Sequence, residues 1–369
     1  MQVAIRVDAS TRIGLGHVIR CRTLAGALAQ HGAEVCFISR RHDGNGIELF
    51  REAGFNVHEL PAPQAEPIND TDYAGWLGVP MHDDAEQTKA MLPPGLDWLI
   101  VDHYGIDAHW ESALRPYARH LFVIDDVANR PHDCDLLLDQ NYAGDGAERY
   151  EGLLPADCQR LLGPRYATLH PAFHEHRVGL DPDSEPRAPV ARIFVFFGGS
   201  DPDNLTGRAL EALCEPDLMG IPVDCVLGAN NPHKTALADL AEQRGGVELH
   251  RPQPHLADLM ARADLAIGAG GTTTWERCAL GLPSVVVSIA ENQRSACERL
   301  SQDGYIHYLG HHDSVDSSGI AGAVRALTGQ PILRHRLGRA SGELVDARGT
   351  ERVVESMIAI TENSAVPCH

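Results

Sequence analysis

The chain has 369 residues, 43% of them hydrophobic, and a formal net charge of −20. Its length exceeds what one core comfortably supports and argues for two domains, while the acidic balance argues against nucleic acid or an anionic membrane as partner. No apolar run is long enough to span a bilayer, and the first residues enter a strand pattern rather than a secretory leader. Nine scattered cysteines without a Cys-x-x-Cys pair read as reduced core thiols of a cytoplasmic protein.

In chain order, Val3 to Val7 is an apolar run that predicts a buried first strand, and Cys21 to Gln30 carries Leu24, Ala27 and Leu28 at helical spacing. Between them lies Ile13-Gly14-Leu15-Gly16-His17-Val18-Ile19-Arg20. Two glycines allow a sharp strand-to-helix turn that leaves room for a ligand, and His17 falls in the first helical turn. An imidazole there suits a general base. The stretch is not a dinucleotide fingerprint, because Ile19 occupies the third glycine position and the second strand ends in Arg40-Arg41 rather than an acid.

The alternation continues with strands at 34–39 and 55–60 and helices at 45–53 and 82–91. Pro61 to Pro80, rich in Pro, Asp and Ala, reads as a long surface excursion. Three further strands end in polar residues: Trp98 to Val101 before Asp102-His103-Tyr104, Leu121 to Ile124 before Asp125-Asp126, and Leu136 to Leu138 before Asp139. Carboxyl ends of parallel strands are where such sheets bind ligands. Val178 to Pro189, with three prolines and three acids, is the expected linker. The rhythm then restarts: a strand at 193–197 runs into Gly198-Gly199-Ser200-Asp201, one at 265–267 into Gly268 to Thr274, and one at 284–289 into Ala290-Glu291-Asn292-Gln293. The expected organisation is a doubly wound α/β domain over 1–177, a linker over 178–189, and a second such domain over 190–369 with a closing amphipathic helix, the two facing across a cleft.

Gly268 to Thr274 suits a diphosphate, since a glycine turn feeds a helix opened by three threonines, with unpaired N–H groups and hydroxyls at its start. No lysine follows, so it is not a P-loop. Glu276, one turn in, has two oxygens with which to accept both hydroxyls of a ribose. Metal readings are poorer. Asp125-Asp126, Asp133/Asp135 and Asp201/Asp203 are acid pairs near turns, and His170, His174 and His176 lack the spacing of a zinc site. No Gly-x-Ser-x-Gly elbow is present.

Taken together, Ile5 to Ser10, Ile13 to Cys21, Phe196 to Pro202, Gly268 to Glu276 and Ala290 to Gln293 resemble the UDP-sugar hydrolases of pseudaminic acid biosynthesis, a family with the two-domain GT-B fold. The resemblance runs from Met1 to about Ile360. It implies hydrolysis of UDP-2,4-diacetamido-2,4,6-trideoxy-β-L-altropyranose to UDP and free sugar, without a metal or other cofactor. It further implies His17 as the catalytic histidine and Tyr104 near the reacting water. Gly270, Gly271 and Thr272 match the diphosphate turn, Glu276 the ribose ligand and Asn292 a substrate contact; Asp8, Arg12, Gly14, Gly16, Gly199 and Gln293 are further candidate substrate contacts. Inversion with attack at the anomeric carbon is the expected course. A GT-B glycosyltransferase using a UDP-amido-sugar is the alternative, and a non-catalytic nucleotide-sugar sensor a third reading. Oligomeric state is left open, with a monomer favoured.

Overall fold

The computed structural model describes residues 1–365 other than 66, 70, 144–147 and 179–188. It divides into two compact units, Met1–Thr168 with Arg348–His369, and Leu169–Ala347. The first holds β1 (Gln2–Val7), α1 (Gly16–Gln30), β2 (Glu34–Arg40), α2 (Ile47–Glu52), β3 (Asn56–Leu60), α3 (Met81–Lys89), β4 (Leu96–Asp102), α4 (Ala108–Leu114), β5 (Ala118–Ile124), β6 (Leu136–Asp139) and β7 (Gln159–Leu162). The second holds α5 (Pro171–Val178), β8 (Ile193–Phe196), α6 (Leu205–Ala212), β9 (Val223–Val226), α7 (Lys234–Arg244), β10 (Val247–His250), α8 (Ala257–Ala261), β11 (Leu265–Ala269), α9 (Thr273–Ala279), β12 (Ser284–Ser288), α10 (Glu291–Gln302), β13 (His307–His311), α11 (Ser317–Gly329) and α12 (Pro331–Leu344). Finally α13 (Gly349–Ala365) returns to the first unit.

Both sheets are parallel. Their strand orders are β3-β2-β1-β4-β5-β6-β7 and β10-β9-β8-β11-β12-β13. The near-continuous apolar runs of β1, β4, β5, β11 and β12 follow from this, because helices cover both faces of a parallel sheet. In β1, Val3, Ile5 and Val7 pack with Val18, Leu24 and Leu28 of α1, while Ala4 joins Leu99 and Val101 in a second core on the opposite face. In each sheet the order reverses beside the first strand, between β1 and β4 and between β8 and β11. Such a reversal opens a crevice at the carboxyl ends. Among the described residues no helix is long and apolar enough to cross a membrane.

Two boundaries differ from the sequence reading. The closing helix α13 packs in the first unit's core through Val353, Val354 and Met357, and Trp98 Nε1 donates to Thr361 Oγ1 at 2.8 Å. Conversely α5, expected in the first domain, belongs to the second unit, where Arg177 donates to the Ala279 carbonyl at 2.8 Å. The apolar stripe of α13 identified a buried face but not which core receives it. Residues 179–188 of the expected linker lie outside the described residues. Strands β7 and β13 also escape a periodicity reading: both are edge strands, the one half exposed and the other interrupted by Gly310.

Candidate active site

In the first unit the crevice between β1 and β4 holds His17. Gly14, at φ +78°, turns the chain out of the β1 loop, and α1 begins at Gly16, so His17 sits in its first turn, 7% exposed. Asp102 is the last residue of β4, in register with Val7 of β1. Its Oδ1 lies 2.6 Å from His17 Nδ1. Arg20, one helical turn after His17, grips the same carboxylate through Nε at 2.7 Å and Nη2 at 2.6 Å, and its Nη1 bonds Asp126. Burial alone would push the Asp102 carboxyl up, but Arg20 and His17 outweigh it and hold the group well below the usual carboxylate range. An ionised acceptor at Nδ1 selects the tautomer with the proton on Nδ1 and the lone pair on Nε2. Among the described residues nothing bonds Nε2.

Tyr104 packs edge-on against His17, ring centroids 4.7 Å apart, and donates its hydroxyl to Asp126 Oδ2 at 2.7 Å. Burial, reinforced by the Asp126 charge, holds the phenol well above its ordinary pKa, so it stays neutral. Asp8 has a different place from the one expected. It is fully buried, takes Arg6 Nη1 and Nη2 at 2.6 and 2.8 Å and accepts the Arg40 backbone N–H at 2.7 Å, so the protein satisfies both oxygens and no face is left for a substrate. Arg12 is exposed on the β1–α1 loop, its N–H directed to Ser10 Oγ at 3.2 Å.

In the second unit the loops after β8, β11 and β12 share one sheet edge, since these three strands are neighbours. Gly199 follows β8, its carbonyl accepting Asn230 N–H at 3.1 Å; beyond it Asp201 caps α6, accepting the N–H groups of Leu205 and Thr206 at 2.8 and 2.9 Å. Gly270 is a tight contact, because a Cβ there would lie 2.3 Å from Cys297 Sγ of α10. This contact seats the Gly270-Gly271-Thr272 turn on α10. Gln293, in the first turn of α10, accepts Ile289 N–H at 3.0 Å through Oε1 and presents Nε2 to Gly271; Asn292 is its neighbour. Arg277, fully buried, ties Thr273 and Thr274 through their hydroxyl oxygens at 3.2 and 3.0 Å, leaving both hydroxyl protons to donate. Glu276 is half-buried, and its Oε2 is enclosed without a hydrogen-bond partner. Desolvation, partly countered by Arg277, pushes its carboxyl up to about 7.

Each half of the expected residue set therefore assembles locally: His17 and Tyr104 in one unit, Gly199, Gly270, Gly271, Thr272, Glu276, Asn292 and Gln293 along one edge in the other. The sequence reading singled out Asp102 only as a polar strand end, named Arg20 in the stretch around His17 without giving it a role, and passed over Arg277; the i, i+3 spacing of His17 and Arg20 was the available signal. Of the acid pairs considered for metals, Asp125 is engaged by Arg130 at 2.9 Å, Asp126 by Arg20 and Asp133 by Arg115 at 2.8 Å, while Asp201 is taken up in capping α6. His170 stacks on His255 and His176 pairs with Asp258 at 2.7 Å, so the histidine cluster disperses. Among the described residues Asp224, Glu248 and His250 alone approach closely enough to share an ion, and Arg262 and Arg192 already bond Asp224 at 2.8 and 3.2 Å.

No protein-family model matches the chain. It is 26% identical over 357 residues to the spore coat polysaccharide biosynthesis protein SpsG of Bacillus subtilis, covering 96% of each chain. It is 26% identical over 306 residues to the UDP-2,4-diacetamido-2,4,6-trideoxy-beta-L-altropyranose hydrolase of Campylobacter jejuni, covering 83% of this chain and 98% of that one. Among solved structures, CalG4, the calicheamicin glycosyltransferase, superimposes with a TM-score of 0.63 at 15% identity, covering 99% of each chain. The fold is therefore GT-B, and the chain is a relative of the Campylobacter jejuni UDP-sugar hydrolase and of SpsG.

Proposed function

We propose that this chain is a nucleotide-sugar enzyme that hydrolyses a UDP-linked diacetamido-trideoxy-hexose to free sugar and UDP, with His17 as general base. The observation that carries the reading is the His17–Asp102 pair: an ionised, buried carboxylate fixes Nδ1 and leaves the Nε2 lone pair free to take a proton. Asp102 then bears the charge that develops on the imidazole. Arg20 keeps Asp102 ionised and Tyr104 limits the ring's rotation. The likeness to a named UDP-sugar hydrolase supports the substrate class.

In the proposed reaction His17 Nε2 removes one proton from water as its oxygen attacks the anomeric carbon. The carbon–oxygen bond to the diphosphate breaks, and its electron pair leaves on UDP. The N–H groups and hydroxyls of the Gly270–Thr274 turn are suited to that developing charge, and the unpartnered Oε2 of Glu276 to a ribose hydroxyl. UDP is a good leaving group, so the scheme needs no strong acid. Incubation with a panel of UDP-amido-sugars and no acceptor, followed by mass spectrometry, tests this. Free sugar and UDP are expected. Turnover that appears only when an acceptor is supplied would make the protein a transferase, and binding without turnover a sensor.

A further inference from the structure

Cys134 and Cys158 are 24 positions apart in the chain, and the fold brings their sulfurs to 3.6 Å. Cys134 lies two residues before β6 and Cys158 one before β7, so the pair sits at the amino ends of these strands, opposite the edge that carries His17. The backbone under both is fixed. Gln159 N–H donates to the Asp135 carbonyl at 2.9 Å, Cys158 N–H to the Pro155 carbonyl at 3.1 Å and His132 N–H to the Leu153 carbonyl at 2.8 Å. Both side chains belong to one core with Leu121, Leu137 and Tyr150. A disulfide needs its sulfurs at about 2.0 Å, so closing this contact takes about 1.5 Å of movement shared between two side chains.

The two thiols are not equivalent. Cys158 directs its S–H at the Gln159 carbonyl at 3.5 Å, which leaves the Cys134 S–H for the Cys158 sulfur. That donation, against desolvation and with help from the Arg160 charge, holds the Cys158 thiol below its ordinary range; the same contact and burial push Cys134 up. Cys158 is also the nearer to water: it is 8% exposed against 1% for Cys134, and Asp157 and Gln159 on either side of it are exposed. A more acidic thiol backed by a buried partner is the arrangement in which one sulfur is oxidised and the other resolves it. We propose that Cys134 and Cys158 form a reversible disulfide on exposure to a hydroperoxide, clasping β7 to β6. The Cys158 thiolate attacks a peroxide oxygen, the O–O bond breaks, and water or an alcohol leaves, with Cys158 left as the sulfenic acid. Cys134 then attacks that sulfur; its proton departs with the hydroxyl as water and the S–S bond forms. Two electrons pass from the two sulfurs to the peroxide. Because β7 has four residues and pairs only with β6, the bond adds a covalent anchor to a short edge strand.

In the test, hydrogen peroxide is added to the reduced full chain, remaining thiols are alkylated, and the nine cysteines are mapped by mass spectrometry. The Cys134–Cys158 cross-link should appear before any other cysteine is modified and should revert with dithiothreitol. In the oxidised chain, hydrogen exchange from Gln159 to Gly163 should slow several-fold and the melting temperature should rise by about 5–10 °C. Cys134→Ser should trap the Cys158 sulfenic acid as a dimedone adduct, and Cys158→Ser should give no adduct at Cys134. The unsubstituted chain decides the matter even where a serine variant fails to fold. Earlier oxidation of another cysteine, over-oxidation of Cys158 without a cross-link, an adduct on Cys134 in Cys158→Ser, or a cross-link that leaves β7 exchange and the melt unchanged would each overturn the proposal.

Discussion

With Glu276 as the proposed ribose ligand, nucleotide binding should depend on pH in a direction set by the burial of its carboxyl. In the free protein desolvation holds its carboxyl at about 7, above the ordinary carboxylate range. Ribose hydroxyls donating to it favour the charged form, so binding lowers that pKa and releases a proton. The sign follows: affinity rises with pH until the free carboxyl is ionised and is flat above. With the free group at about 7 and the bound group well below 6, protonation weakens binding about elevenfold at pH 6, twofold at pH 7 and hardly at pH 8. Between pH 8 and 6 the loss is therefore about tenfold, or about 1.4 kcal/mol, with about half a proton released on binding at pH 7. UDP-glucose is the suitable probe, because its doubly esterified diphosphate does not titrate in this range, whereas UDP itself does. Calorimetry at three pH values, in two buffers of different ionisation heat, gives both the affinity and the proton count. Glu276→Gln should bind more weakly at pH 8 and lose the pH dependence. Wild-type binding that is flat from pH 6 to 8, or proton uptake, would refute the assignment of Oε2 to the ribose.

Four further outcomes are expected. His17→Gln should lower turnover roughly 10²–10⁴-fold while UDP affinity stays within a few-fold; wild-type rates in the purified variant would remove His17 from the chemistry. Asp102→Asn should cost turnover on the same scale and also stability, by about 1.5–3 kcal/mol, because Arg20 loses one of its two charged partners and keeps Asp126; a thermal melt alongside kinetics separates the two, and an unchanged melting temperature would show the pair to be dispensable to stability. Reaction in oxygen-18 water should place the label in the sugar, whereas label in UDP would mean attack at phosphorus. Activity should survive excess EDTA, since Asp125, Asp126 and Asp133 are held by arginines; a loss restored by magnesium would count against that assignment.

What the sequence made legible was whatever is encoded locally. Apolar runs of three to six residues, most of them followed by glycine or aspartate, marked the strands of the two sheet cores and the loops at their carboxyl ends, because a doubly covered parallel strand must be apolar along its length. His17 and Glu276 were singled out for the same reason, each lying in the first turn of a helix that follows such a loop. Contacts between distant segments were not legible. Nothing in Asp102 distinguishes it from Asp125 until β4 is placed beside β1, and nothing in the sequence marks Arg6 as the buried cation that occupies Asp8. The aromatic packing of Trp76 on Tyr104 is likewise invisible in an excursion whose composition suggests only surface.

The return of α13 to the first unit has a consequence for how the molecule is made. The chain completes its second unit, Leu169–Ala347, as one uninterrupted segment, while the first unit waits for residues synthesised after it. Val353, Val354 and Met357 are fully buried, and at roughly 1.5–3 kcal/mol each they supply about 5–9 kcal/mol, as much as a whole domain's usual margin of stability. During translation the unit begun first is thus completed only after the second, with Trp98 and the α1 face uncovered until α13 leaves the ribosome. A fragment ending near residue 170 would keep every strand of its sheet and still lack the piece that closes its core, whereas an excised second unit would lack none of its own.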